Sequence, residues 1–217
     1  YNAFIQTFRS EYGTRFHIAQ KLSKSPFQRM TAAIRPAIRR TRWCVITGAP
    51  CSGKTSVITE LSLRGLRVVP EAARAYIDAE LKKGRLLSEI KANPRRFEGR
   101  IFRAKLRVEA RLPASDALFL DRALPDSIAY YILEGLDPSE PRRQSLRVRY
   151  RRVFLFERLE FMKDPVRSEN AQSADRIEGL IEAAYSGLGY DIIRVPVMPV
   201  PDRVEFVLSR CLSHRLR

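Results

Sequence analysis

Histidine and cysteine are nearly missing from this chain of 217 residues, which has two of the first and three of the second. His17 and His214 lie near opposite ends, so no His-based metal centre is expected. Cys44, Cys51 and Cys211 are odd in number and irregular in spacing, giving neither a disulfide framework nor a metal signature. No stretch approaches the roughly 20 apolar residues of a membrane helix, and nothing resembles an apolar secretory leader. Acid is also short. The chain has 24 Asp and Glu against 40 Lys and Arg, a formal charge of +16. That imbalance attracts polyanions at long range. RNA, DNA, anionic lipid or an acidic protein would all qualify, and so would a basic enzyme with no single polyanionic ligand.

What is present suffices for one domain with an appendage. The hydrophobic fraction is 45%, ordinary for a globular protein. Residues 1–42 hold nine basic residues and a single acid, Glu11. RMTAAIRPAIRR intersperses apolar residues among arginines like a basic amphipathic helix over 26–40, although Pro36 interrupts it. An organellar targeting remnant and a contact arm on a larger assembly share this composition. We therefore divide the chain into a basic arm, 1–42, and a domain, 43–217. A mitochondrial-matrix or cytoplasmic location is expected, the arm favouring the organelle.

From residue 43 onward, short apolar runs alternate with helical patterns. WCVIT (43–47), a run at 66–69, ALFLDR (117–122), VFLFE (153–157) and DIIRVPV (191–197) read as strands. KTSVITELSLRG, a segment opened by Pro70, two helices broken near Asn93-Pro94, LPDSIAYYILEGL, SADRIEGLIEAAYSGLGY and PDRVEFVLSRCL read as helices. This order predicts an α/β fold with a parallel five-stranded sheet covered by helices on both faces, and 43–47 central. Between strands, RRQSLRVRYRR (142–152) concentrates six arginines and no acid. With 1–42 it is a candidate contact for RNA or a large assembly.

The chemistry starts where the first strand ends. GAPCSGKT, comprising Gly48, Ala49, Pro50, Cys51, Ser52, Gly53, Lys54 and Thr55, fits G-x-x-x-x-G-K-[ST] with a strand before it and a helix after it. That is a P-loop. Its glycines allow a tight turn whose N–H groups converge on phosphate oxygens, and the helix adds its positive end. Lys54 is expected at the β and γ phosphates, and Thr55 supplies a hydroxyl for Mg²⁺. Asp121 ends an apolar strand at the sheet edge where ligands bind. It is a candidate Mg²⁺ ligand, or an acceptor for a substrate proton; a helix cap or salt bridge to Arg122 is the structural alternative. Arg122 is a candidate clamp for phosphate, with Asp126 one turn beyond. Glu71 sits at the mouth of the second strand, suited to a substrate hydroxyl, to metal-bound water, or to the helix dipole alone. Arg74 lies a turn further on. Asp164, Arg167, Glu169 and Arg176 fall in the connection after the fourth strand, either a lid whose arginines meet the phosphates or a solvated loop.

Four runs carry a resemblance: VITGAPCSGKTSVITELSLRGLRVVPEAARAYI, FLDRALPDSIAYY, VFLFERLEFMKDPVRSEN and GYDIIRVPVMPVPDRVEFVL. In this order they resemble the AAA-type ATP-binding domain family related to the nicotinamide-riboside kinase half of NadR proteins, in the nucleoside and nucleotide kinase branch of P-loop folds. The likeness spans about 43 to 210. It implies that Gly48–Thr55 hold nucleotide phosphates and that Glu71 and Asp121 face substrate and Mg²⁺. It further implies that Arg122 and Arg167 lie near the transferred phosphate and that Arg203 stacks on the base. Ala49 and Cys51 stand where glycine is common in the family. The expected reaction is phosphoryl transfer from ATP, favoured over GTP because no N-K-x-D signature is present, to a small nucleoside-like acceptor. A switch-like NTPase binding RNA or anionic lipid, and a nucleotide-binding subunit of an organellar ribonucleoprotein, are the alternatives.

Overall fold

The structure of the protein, a computed structural model, describes residues 37–159 and 168–212, with side chains for 37–159 and 175–211. The elements are β1 (Arg39–Arg40), β2 (Trp43–Thr47), α1 (Lys54–Leu63), β3 (Val68–Val69), α2 (Ala72–Leu81), α3 (Leu87–Lys91), α4 (Pro94–Arg111), β4 (Leu118–Asp121), α5 (Leu124–Leu133), α6 (Ser139–Ser145), β5 (Val148–Arg149), β6 (Arg152–Phe156), α7 (Ser168–Ser186), β7 (Ile192–Val195) and α8 (Val200–Leu212). Five strands form one parallel sheet in the order β3-β4-β2-β6-β7, so β2 is central as the sequence predicts.

Every residue of β2 is buried, which is why a run of five apolar or β-branched residues forms here. Side chains alternate across the sheet. Trp43 and Val45 join Leu118, Leu120, Val153 and Leu155 on one face, where Ile181 and Tyr185 of α7 cover them. Cys44 and Ile46 join Phe119, Phe154 and Phe156 on the other, beneath Val57 and Leu61 of α1 and Val204 and Val207 of α8. Each fully buried aliphatic or aromatic side chain here contributes about 1.5–3 kcal/mol of transfer free energy. Among the described residues no helix is long and apolar enough to cross a membrane.

The N-terminal boundary differs from the sequence reading. The compact unit starts at Ala37, and Arg39–Arg40 pairs in parallel with Val148–Arg149. Residues 39–40 are therefore strand, 37–38 are in neither helix nor strand, and 26–36 lie outside the described residues. The reason is local. Arg39 Nη1 donates to the Glu109 carbonyl at 2.8 Å, Nη2 donates to the Leu112 carbonyl, and the guanidinium sits 4.9 Å from the centre of the Trp43 ring. A cation is thus bound to the carbonyl end of α4, where the helix dipole favours it.

The segment 142–152 also has structure of its own. It ends α6, forms β5 and enters β6. Within it Arg149 donates to the Leu188 carbonyl at 3.0 Å and lies 4.0 Å over the Tyr190 ring, while Arg143 pairs with Glu140 at 2.5 Å. Arg152 Nη1 donates to the Arg151 carbonyl at 3.4 Å, so three of its six arginines are engaged within the fold.

Arg39→Ala is expected to lower unfolding free energy by about 2 kcal/mol, through loss of two charge-assisted hydrogen bonds and a cation–π contact. Urea denaturation of both proteins measures this, and Arg39→Lys should recover less than half of the loss.

Candidate functional site

The phosphate loop is shaped by three residues with left-handed or extended positive φ. Gly48 has φ 142°, and a Cβ there would lie 2.7 Å from the Phe156 carbonyl oxygen. Gly53 has φ 77°, and a Cβ would meet Arg203 Nη1 at 2.9 Å. Cys51, at φ 60°, holds a left-handed conformation without being glycine, a cost of about 1–2 kcal/mol. Helix α1 starts immediately afterwards with no side-chain cap, leaving its first N–H donors for a ligand. Thr55 is exposed at that helix start.

Lys54 is buried and closes onto the loop itself, with Nζ donating to the Ala49 carbonyl at 2.6 Å and to Ser52 Oγ at 2.9 Å. Burial, with the Arg122 charge second, pulls its ammonium down to about 7 against the opposing pull of Asp121, Glu71 and Asp126. Asp121, at the end of β4, pairs across the sheet with Ile46, two residues before the loop begins. Burial, with the Glu71 charge second, pushes its carboxyl up to about 6. Its Oδ1 is buried without a hydrogen-bond partner.

Arg122 follows in the left-handed region, φ 63°, anchored by its N–H to the Ile46 carbonyl at 3.0 Å. Its Nε donates to Glu71 at 2.9 Å, its Nη1 to Asp126 at 3.2 Å, and the guanidinium lies 5.4 Å from the Tyr130 ring centre. Asp126 is fully buried. Its Oδ1 also accepts from Thr47 Oγ1 at 2.5 Å, and its Oδ2 from the Ala123 N–H at 2.9 Å and the Tyr185 hydroxyl at 2.6 Å. Burial alone would push this carboxyl up, but the Lys105 and Arg122 charges and the hydrogen bonds outweigh it and hold the group below its ordinary range.

Lys54, Asp121, Arg122 and Glu71 thus come together. The structural alternative for Asp121, a salt bridge to Arg122, is not made, since Arg122 pairs with Glu71 and Asp126. Arg203 departs from expectation. It is buried, donating to the Ser52 carbonyl at 2.6 Å and the Pro196 carbonyl at 3.0 Å, and lies 5.4 Å from the Phe156 ring centre. These bonds make it a prop beneath the loop rather than an exposed plane for a base, because loop carbonyls pointing inward need a donor. Arg74 pairs with Asp78 on the surface, and Arg176 is exposed. Arg167 and Asp164 lie outside the described residues, and the Glu169 side chain does too.

Sequence reasoning missed Thr47, Tyr185, Lys105 and Glu109. Lys105 is buried with Nζ 3.3 Å from Ser127 Oγ; Glu109 accepts from Tyr150 OH at 2.6 Å and the Leu124 N–H at 3.0 Å. Burial pushes the Glu109 carboxyl up to about 7. Glu98, Lys105 and Glu109 share the inward side of α4, and that spacing was the available signal.

A sheet of this order, with a P-loop leaving its central strand, defines a P-loop nucleotide-binding fold. The family model described as "AAA domain" matches residues 43–203, and the chain belongs to that family. Among solved structures, NadR in complex with NR superposes with a TM-score of 0.57 at 15% identity, covering 82% of this chain and 52% of NadR. The chain therefore spans about half of NadR. Thymidylate kinase from Ehrlichia chaffeensis gives 0.55 at 12% identity, over 77% of this chain and 96% of that one. Deoxyadenosine kinase from M. mycoides gives 0.50 at 16%, over 77% and 97%. No curated protein sequence matches the chain significantly.

The buried Lys54 makes a pH prediction. Its folded value, about 7, is below the usual 10.5. The unfolded chain therefore binds more protons between these values, and stability rises with pH across that window. Lys54→Met should remove this rise. Urea midpoints of both proteins from pH 6.5 to 10 are the measurement, and parallel curves would contradict the assignment.

Proposed function

We propose that this domain transfers a phosphoryl group from Mg-ATP to a hydroxyl of a small, nucleoside-like acceptor. The observation that carries the reading is the cluster of Lys54, Arg122, Asp121 and Glu71 at the carboxyl edge of β2 and β4. Loop N–H groups and the start of α1 suit the nucleotide phosphates. An arriving phosphate raises the affinity of Lys54 for its proton, so a lysine held near neutrality becomes fully charged where charge is needed. Its ammonium has three donors, of which the Ala49 carbonyl and Ser52 Oγ take two. Arg122, fixed by two carboxylates, suits the oxygens of the transferred group, over which negative charge spreads. Asp121 has a free oxygen and a raised affinity for protons, as an acceptor for the substrate hydroxyl requires. Glu71, exposed on its other side, is the second candidate base.

Magnesium fits this donor set. The unpartnered Asp121 Oδ1 and the exposed Thr55 hydroxyl are oxygen donors, and Mg²⁺ is held in such sites by one or two carboxylates plus phosphates. Among the described residues no group of three or more His, Cys, Asp or Glu forms a dedicated cage. When bound, the ion would neutralise phosphate charge. The nucleoside-like acceptor is supported by the fold shared with NadR in complex with NR, thymidylate kinase and deoxyadenosine kinase.

The test is ADP release across a panel of nucleosides and nucleoside monophosphates, with ATP and GTP as donors. Release that depends on one acceptor is expected, abolished in Lys54→Ala and reduced about 10²–10⁴-fold in Asp121→Asn or Glu71→Gln, whichever is the base. Release independent of every acceptor would replace this reading by a switch-like NTPase.

A further inference from the structure

Helix α4 gathers five arginines on its outer side. At 3.6 residues per turn, Arg96, Arg100, Arg103, Arg107 and Arg111 fall within a sector of about 80° and run for about 22 Å along the axis. The opposite side holds Glu98, Ile101, Phe102, Lys105 and Glu109, all buried. Both acids of the helix are therefore inside, and its outer side has none.

Arg96, Arg103, Arg107 and Arg111 are exposed, and none makes an ion pair with a described residue. Arg107 Nε reaches only the Arg103 carbonyl, at 3.3 Å. Arg100 is held by Tyr76, with Nη1 donating to its hydroxyl at 2.9 Å. Several surface arginines elsewhere have acids: Arg64 has Glu60 and Glu205, Arg67 has Asp116, Arg74 has Asp78, and Arg194 has Glu178 and Glu182. Arg40, Arg42, Arg142 and Arg147 are exposed and make no ion pair with a described residue, but they do not form a row along one side of a helix. Like charges one turn apart oppose the helix. Arg96–Arg100, Arg103–Arg107 and Arg107–Arg111 are three such pairs. A ridge of this kind is stabilised by an anionic partner.

We infer that the outer side of α4 is a docking surface for the phosphate backbone of a polynucleotide. The charge complementarity is direct, and the length of the ridge matches an extended ligand rather than a single phosphate. Arginine forks grip phosphate oxygens in pairs, and their planes stack on exposed bases. Recognition runs through backbone charge, since the chain has no RNA-reading motif of the RRM or KH type. A lipid surface fits less well. An interfacial helix buries an apolar side in the membrane, and that side of α4 is already committed to the core. Val108, 38% exposed, is the one large hydrophobic on its exposed surface. This inference stands apart from the phosphoryl-transfer reading.

The experiment uses the full chain with a fluorescent single-stranded RNA, a DNA of the same sequence, and phosphatidylserine–phosphatidylcholine vesicles. Arg103→Glu/Arg107→Glu is compared with a charge-matched control, Arg142→Glu/Arg147→Glu, on exposed positions of α6 and its end. The ridge variant should bind polynucleotide roughly tenfold or more weakly at fixed salt and with a shallower salt dependence. The control should stay within about twofold of wild type, because long-range attraction between exposed charges is screened within about 10 Å at 0.1 M salt. RNA preference and equal binding of RNA and DNA both support the surface. Equal losses in the two variants would reduce the effect to net charge and overturn it. So would ridge-dependent binding to vesicles alone, or no polynucleotide binding by wild type. Thermal melts of the ridge variant should match or exceed wild type, which separates lost binding from lost fold.

Discussion

The site depends on one buried carboxylate. Asp126 has no exposed surface, and it gathers Thr47 from the end of β2, Arg122 just after β4, the Ala123 N–H just before α5 and Tyr185 of α7. A carboxylate in such a place costs several kcal/mol to desolvate. Four donors offset that cost, from β2, the turn between β4 and α5, and α7. The arrangement therefore fixes the P-loop strand, the arginine and two helices relative to one another. It also explains how Arg122 keeps a left-handed backbone without being glycine, since two carboxylates, Glu71 and Asp126, hold its side chain from the far end.

Around this anchor the site is balanced rather than neutral. Lys54 is less basic than usual and Asp121 more so, and each is drawn that way chiefly by burial. Both shifts are in the sense that brings a titrating group close to neutral pH, where proton transfer is most effective. The present contacts of Lys54 are to its own loop, to the Ala49 carbonyl and Ser52 Oγ. Neither partner is charged, so a phosphate competes for the ammonium with a large advantage. Arg203 holds Ser52 from below through its backbone carbonyl. The loop can thus exchange its lysine contact while its shape is retained.

The fold was legible because its signals are local. Five apolar runs, a glycine-bounded loop and Pro70 at a helix entrance depend on neighbours in sequence, and the parallel order follows from their alternation. Lys54, Asp121, Arg122 and Glu71 were legible for the same reason, each standing at the end of a strand or at the start of a helix. What escaped was the far shell. Tyr185 is separated from Asp126 by 59 positions in sequence, and nothing in EAAYSG distinguishes a tyrosine that donates to a carboxylate from one that fills the core. For Arg203 the resemblance implies contact with the base, whereas the side chain donates to the inward carbonyls of Ser52 and Pro196. Arg39 was placed in a detachable arm by composition, because charge counts do not register that a guanidinium can cap a helix 70 residues away in sequence.

The arginines of this protein accordingly fall into groups that composition cannot separate. Arg39, Arg149 and Arg203 donate to backbone carbonyls, where an always-charged, many-donor side chain satisfies acceptors that the fold has turned inward. Arg122 is paired with carboxylates at the site. A third set, including Arg64, Arg67 and Arg194, makes exposed ion pairs that contribute little to stability. When these are removed, a row of five arginines remains along the outer side of α4, beside scattered exposed arginines such as Arg40, Arg42, Arg142 and Arg147. The excess of basic over acidic residues is therefore a poor guide to where a polyanion binds. A better one is the set of cations that the fold neither bonds to its own carbonyls nor matches with its own acids.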